Sequence, residues 1–315
     1  MTRSKLIIGA TLLTIAVGLQ GLDVHGQQPV PVPSFRGGVD MVRVAAVVRD
    51  HKGRFVQDLT ASDFEVLDSG AVRAISDLRN DVAGVSIAVL FDVSDSMEGH
   101  LRSAREAATH VLSWMDMRDE VAVFTFDTHL DERVPFTTGL KALPASMMQV
   151  VPFGETSLHD AIAATARIAG AREGRRRAVV VLTDGADTSS RLTPSEVSGI
   201  ASEIDVPVYI FGIVPSIDNP SEDTATQSIE RKAFAGSLSD LAAWTGGHVF
   251  VASTPGQRSV AARQIIDELR HQYLIAFESS GNPGWHPLLV RARNKDLTVR
   301  ARSGYIAGQS RPTLF

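Results

Sequence analysis

Three short polar clusters carry the side chains best suited to chemistry. The first is Asp92-Val93-Ser94-Asp95-Ser96, directly after the apolar run VSIAVLF (85–91). The second is FGETSLHDA (153–161), with Thr156 just ahead of a helix-like segment. The third holds Asp184, in VVVLTDGADTSS (179–190), after another all-apolar run. The five candidate ligands, Asp92, Ser94, Ser96, Thr156 and Asp184, are carboxylates and hydroxyls only. A hard cation takes oxygen ligands, and Mg²⁺ keeps several waters and needs only one or two carboxylates. The chain has no Cys and none of the five is His, which disfavours Zn²⁺. A simpler use exists for the first cluster: Ser94 or Ser96 caps the following helix, and Asp92 accepts its N–H groups. Alone, that cluster leaves both readings open. Thr156 and Asp184 shift the balance toward a metal site.

Such a site needs three loops brought to one edge. VSIAVLF and RAVVVLT read as central strands of a parallel sheet, being apolar on both faces. MEGHLRSAREAATHVLSWM places Leu101, Ala104, Ala108, Val111, Leu112 and Met115 on one helical stripe. EVAVFTF is a further strand, and HLDERVPFT, polar and containing Pro, suits a sheet edge. LHDAIAATARIAG reads as a helix with Ser157 as N-cap. TPSEVSGIASEI opens with a cap and Pro at the first helical position. VPVYIFGIV and HVFVAS read as strands, SLSDLAAWTGG and QRSVAARQIIDELRHQ as helices, and DNPSEDTATQSIER as a polar insertion. The expected fold class is α/β, a doubly wound, mostly parallel sheet with helices on both faces. Its ligand site belongs at the carboxyl ends of the strands.

Around this unit the pattern is β. VDMVRVAAVVRDHKGRFVQDL predicts a strand, a turn at 51–53 and a second strand, and TASDFEVLDSGAVRAISDL a short turn and one or two more. After His271, QYLIAFESS, HPLLVRARN and DLTVRARSGYI read as strands. The expected organisation is a signal segment (1–26), a Pro-rich linker (27–38), an N-terminal β segment (39–82), the α/β domain (83–271) and a C-terminal β segment (272–315). Pairing of the two β segments into one small module is a hypothesis that periodicity does not decide. Arg291, Arg293, Arg300 and Arg302 alternate, as on an exposed strand face.

Asp92-x-Ser94-x-Ser96, Thr156 in Gly-x-Thr and Asp184 in Thr-Asp-Gly resemble the metal-ion-dependent adhesion site of von Willebrand factor type A domains. All five motif positions are present in order, and the resemblance covers roughly residues 83–271. It implies a divalent cation, Mg²⁺ first, with Mn²⁺ or Ca²⁺ as further candidates. It also implies that both Ser hydroxyls bind the ion, Thr156 directly or through water, and the two Asp through water. A protein partner then supplies an acidic residue to the open position. The flanks, DLTASDFEVLDSG and QYLIAFESS…VRARSGYIA, resemble more loosely a family of exported bacterial proteins in which such a domain sits within β segments.

Composition narrows the functions further. Of the 315 residues 44% are hydrophobic, enough for a core, and the formal charge of −5 argues against nucleic acid as a partner. Arg3 and Lys5 precede an apolar stretch (6–19) and small or polar residues up to 26, the layout of a secretory signal. The expectation is therefore a secreted, periplasmic or cell-envelope protein with no membrane span after cleavage; the alternative is that the segment is kept as an uncleaved anchor. Motifs for a phosphate-binding loop, His-Glu-x-x-His or a Gly-x-Ser-x-Gly elbow are absent from the sequence. The expected role is non-enzymatic protein binding. The alternative is a structural or assembly factor of the envelope in which the metal is mainly structural. Metal-dependent hydrolysis ranks third, because no general base stands at motif spacing.

Overall fold

The computed structural model describes residues 41–80, 84–172, 175–203, 205–214 and 237–307. The signal segment, the linker and the polar insertion (218–231) lie outside them. Elements follow in chain order: β1 (Met41–Arg49), β2 (Phe64–Asp68), β3 (Ala71–Arg73), β4 (Ile75–Arg79), β5 (Val85–Asp92), α1 (Leu101–Trp114), β6 (Glu120–Phe126), β7 (Leu130–Thr138) and α2 (Leu158–Gly170). Then come β8 (Arg176–Thr183), α3 (Pro194–Glu203), β9 (Val208–Ile213), α4 (Ser237–Trp244), β10 (Val249–Ala252), α5 (Pro255–Arg270), β11 (Gln272–Glu278), β12 (Gly284–Ala292), β13 (Thr298–Ala301) and β14 (Gly304–Ala307).

The central sheet has the order β10-β9-β8-β5-β6-β7. Every pair is parallel except β6 with β7, which is antiparallel. The apolar strands are apolar because both faces are covered. Ile87, Val89 and Phe91 of β5 point to the side packed by α1 and α5. Ala88 and Leu90 point to the side packed by α2, α3 and α4. From β5 the chain winds outward to β6 and β7, then returns to β8 on the other flank of β5. The strand order therefore reverses between β5 and β8, and a ligand crevice belongs at the carboxyl ends of those two strands. β7, with Pro135 in it, takes the edge. At α3 the sequence caps itself: the Thr193 hydroxyl and amide both bond the Glu196 carboxylate, and Pro194 opens the helix.

The two outer β segments do pair. β1 lies antiparallel between β11 and β13, and β4 joins the other edge of β11, giving the sheet β13-β1-β11-β4. β12 pairs with β2 and β14, giving β14-β12-β2-β3. Val44, Ala46, Phe64, Val66, Tyr273, Ile275, Phe277 and Tyr305 form one core between these two sheets. Strands from both flanks of the α/β unit thus build a β-sandwich.

Two local expectations fail. After the turn at 50–53 no second strand forms: Phe55 makes only an isolated bridge to Arg49, while its ring stacks on His271 and lies under the Arg49 guanidinium. Nor do the four alternating arginines share an exposed face. DLTVRARSGYI breaks into β13 and β14, which belong to different sheets. Arg302 is consequently buried, with its guanidinium bonded to the Arg43 carbonyl, and Arg300 pairs with Glu268 of α5. Arg291 and Arg293 stay outside.

Candidate metal centre

Asp92 is the last residue of β5 and is fully buried. Its Oδ1 accepts from the Ser94 amide at 3.0 Å and the Ser94 hydroxyl at 2.5 Å. Its Oδ2 accepts from the hydroxyl of Thr183, the last residue of β8, at 2.7 Å. Ser94 Oγ is in turn 3.2 Å from Ser96 Oγ. Residues 95–97 form a single 3-10 turn, and α1 starts only at Leu101, with His100 at its cap position and no side-chain cap bond. Ser94 and Ser96 therefore do not cap the helix that follows. Their hydroxyls turn back toward the strand end.

Backbone bonds hold the other loops against this one. Phe153 N–H donates to the Val93 carbonyl at 2.9 Å, and Asp95 N–H to the Gly154 carbonyl at 3.0 Å. Gly154 has φ +85°, a left-handed conformation that costs a glycine little. Two residues on, Thr156 is buried. Its amide bonds Thr188 Oγ1, and its carbonyl takes the amides of Thr188 and Ser189. Among the described residues its hydroxyl has no hydrogen-bond partner. Asp184, one residue past β8, is half-buried, and its Oδ1 accepts from the Ala186 amide at 3.2 Å.

The structure thus ties Asp92, Ser94 and Ser96 directly together. Asp184 joins them by its place next to Thr183 and by its charge, and Thr156 by the backbone of its loop. Burial pushes the Asp92 carboxyl up to about 6, and the negative charge of Asp184 adds to this against the bonds from Ser94 and Thr183. Among the described residues no group of three or more His, Asp or Glu side chains is arranged to hold a metal ion. Any ion here would rest on the mixed hydroxyl and carboxylate set. That set fits a hard cation: a buried carboxylate without a cationic partner, a second one beside it, and neutral oxygens around.

Sequence reasoning missed several residues that build the site. Thr183 bridges β8 to Asp92. Asp187 caps α2: its Oδ1 accepts from the Leu158 amide at 2.9 Å, and its Oδ2 lies 3.1 Å from His159 Nδ1. Ser190 Oγ receives the His159 amide at 3.0 Å. Ser157 occupies the cap position without making a side-chain cap bond. The run Asp-Thr-Ser-Ser after Ala186 carried the signal, since all four side chains are cap formers. Nothing local to that run says which helix it caps.

Residues 87–186 match the family model described as the von Willebrand factor type A domain. That span contains all five candidate ligands, and with the doubly wound sheet it defines a von Willebrand factor type A domain within this chain. Among solved structures, a von Willebrand factor type A protein from Catenulispora acidiphila is 14% identical, covering 88% of this chain and 76% of its own, with a TM-score of 0.46. A conserved hypothetical protein, BatB, from Bacteroides thetaiotaomicron is 18% identical, covering 59% and 98%, at 0.45. An aerotolerance-related membrane protein from Bacteroides fragilis, solved with multiple mutations to serines, is also 18% identical over the same shares, at 0.43. No curated protein matches the chain. Among the described residues no helix is long and apolar enough to cross a membrane.

Proposed function

We propose that this chain is an exported, non-enzymatic binding protein. Asp92, Ser94, Ser96, Thr156 and Asp184 hold Mg²⁺ or Mn²⁺, and the ion accepts a carboxylate from a protein partner. One observation carries the reading. Asp92 is buried with hydroxyl partners and a neighbouring carboxylate, and the Ser94 and Ser96 hydroxyls are not spent on capping α1. Neutral hydroxyl ligands leave a bound ion short of negative charge, so it attracts an incoming Asp or Glu. Export rests on Arg3, Lys5 and the apolar stretch behind them.

Calorimetric titration of the folded chain should give one Mg²⁺ or Mn²⁺ site, and pull-downs in Mg²⁺ should lose their partner in chelator without unfolding. No binding of either ion at millimolar concentration would sink the proposal. The burial of Asp92 also supports the second reading, an envelope structural or assembly factor whose ion mainly stabilises the fold. In that case chelator lowers the unfolding midpoint while partner capture persists.

A further inference from the structure

Beside the metal-site loops stands an apolar patch that the fold does not use. Phe153 is 77% exposed, Val151 76% and Met148 53%. They belong to the loop that leads into Thr156, and that loop is held in place. Met147 is buried in the core under α1. Arg105 of α1 donates to the carbonyls of Met147 and Val150, at 2.9 and 2.8 Å. Phe153 N–H bonds the carbonyl of Val93, between Asp92 and Ser94. Large apolar side chains kept out in water on an anchored loop mark an interaction surface. Around them the rim is acidic: Asp95, Glu98 and Glu155 are exposed, and Asp127 is partly so. The Asp127 carboxylate stands over the same loop, its Oδ2 4.0 Å from where a side chain on Gly154 would begin.

Resting on the metal-site reading above, we infer that the partner is a protein segment presenting a single acidic residue flanked by an aromatic or aliphatic one and by basic residues. The acidic side chain goes to the ion. The apolar neighbour packs on Phe153 and Val151. Basic flanks match Asp95, Glu98, Glu155 and Asp127, which repel a run of acids even though the ion itself attracts one. The same rim repels an anionic lipid surface, so a protein segment is the occupant the charges favour.

The probe is a displayed library of random peptides, selected on the full chain in Mg²⁺ and eluted with chelator. The eluted pool should be enriched in sequences with one Asp or Glu next to Phe, Leu, Ile or Val, with Lys or Arg nearby. Phe153→Ser with Val151→Ser should bind Mg²⁺ as the parent does and keep the acid. It should lose the apolar preference and bind the selected peptides about tenfold or more weakly. Both side chains are exposed, so the variant should fold. Chelator-eluted peptides with runs of acids, an unchanged preference in the variant, or no eluted peptides from a chain that binds Mg²⁺ would overturn this inference and leave the ion in place. A chain that binds no Mg²⁺ overturns the metal-site reading itself. Sedimentation with phosphatidylglycerol vesicles that is lost in the double variant would assign the patch to membranes and reject the peptide.

Discussion

Asp92, at the carboxyl edge of the α/β sheet, and Asp68, at the end of β2 in the sandwich, are each shut off from solvent. Their neighbours are opposite in kind. Asp68 meets His286 Nδ1 at 2.7 Å and the Arg73 guanidinium at 3.0 Å. Burial alone would raise its pKa, but His286 and Arg73 bring it below the usual carboxylate range. Asp92 has only hydroxyls, one amide and the repulsion of Asp184, and it is raised to about 6. Asp68 has a counter-charge within the chain, Arg73, and through its bond to His286 ties β2 to β12 in the sandwich. Asp92 lacks one, and the ion proposed above would supply it. Equal burial therefore says nothing about role until the partners are counted.

The largest expected effect is at Asp68. Asp68→Ala removes the short bond to His286 Nδ1 inside the sandwich and frees Arg73, which should cost about 3 kcal/mol in urea unfolding. A loss below about 1 kcal/mol would break the contrast from the sandwich side.

The next concerns pH in chelator. Asp92 favours folding when protonated. That contribution is complete below its ordinary value of 3.8 and is lost as pH climbs through about 6, roughly 3 kcal/mol in all. Asp68, lowered, behaves in reverse: its contribution stands above the unfolded value and fades as pH falls through the folded one. Urea midpoints of the parent and Asp92→Asn should therefore diverge between pH 4 and 7, with the variant the more stable at pH 7. Mg²⁺ should close the gap by stabilising only the parent. Parallel pH curves would remove Asp92 from the comparison.

Thr183→Val is the sharper and smaller probe. It deletes the 2.7 Å bond to Asp92 and the hydroxyl that receives the Gly185 amide at 3.0 Å, with little change in shape. A loss of about 1–2 kcal/mol is expected in chelator. Smallest of all is Thr156→Ala. Stability should change by under about 1 kcal/mol, yet Mg²⁺ affinity by calorimetry should fall roughly tenfold. If stability and affinity fall together, Thr156 is a packing residue and the ion has lost a ligand from the list.

Sequence by itself determined the α/β unit and which polar residues stand at its strand ends. Strands apolar on both faces, helical stripes between them and polar residues at strand ends are local patterns, and the crossover rule turns them into a parallel sheet with one crevice. Asp92, Ser94, Ser96, Thr156 and Asp184 stood out as candidates because each lies at or beside the end of such an element. Tertiary structure decided what local patterns do not encode. Strands 41–49 and 272–278 pair across more than two hundred residues, and antiparallel pairing of that range leaves no signature in either strand alone. It also split Arg300 and Arg302 from Arg291 and Arg293, because the chain changes sheet between β12 and β13 and again between β13 and β14. Which hydrogen-bond partners and charges surround a buried carboxylate depends in part on the side chains that long-range packing brings to it. For Asp68 that packing brought His286 from 218 residues away; for Asp92 it brought Thr183 and Asp184, a hydroxyl and a second negative charge.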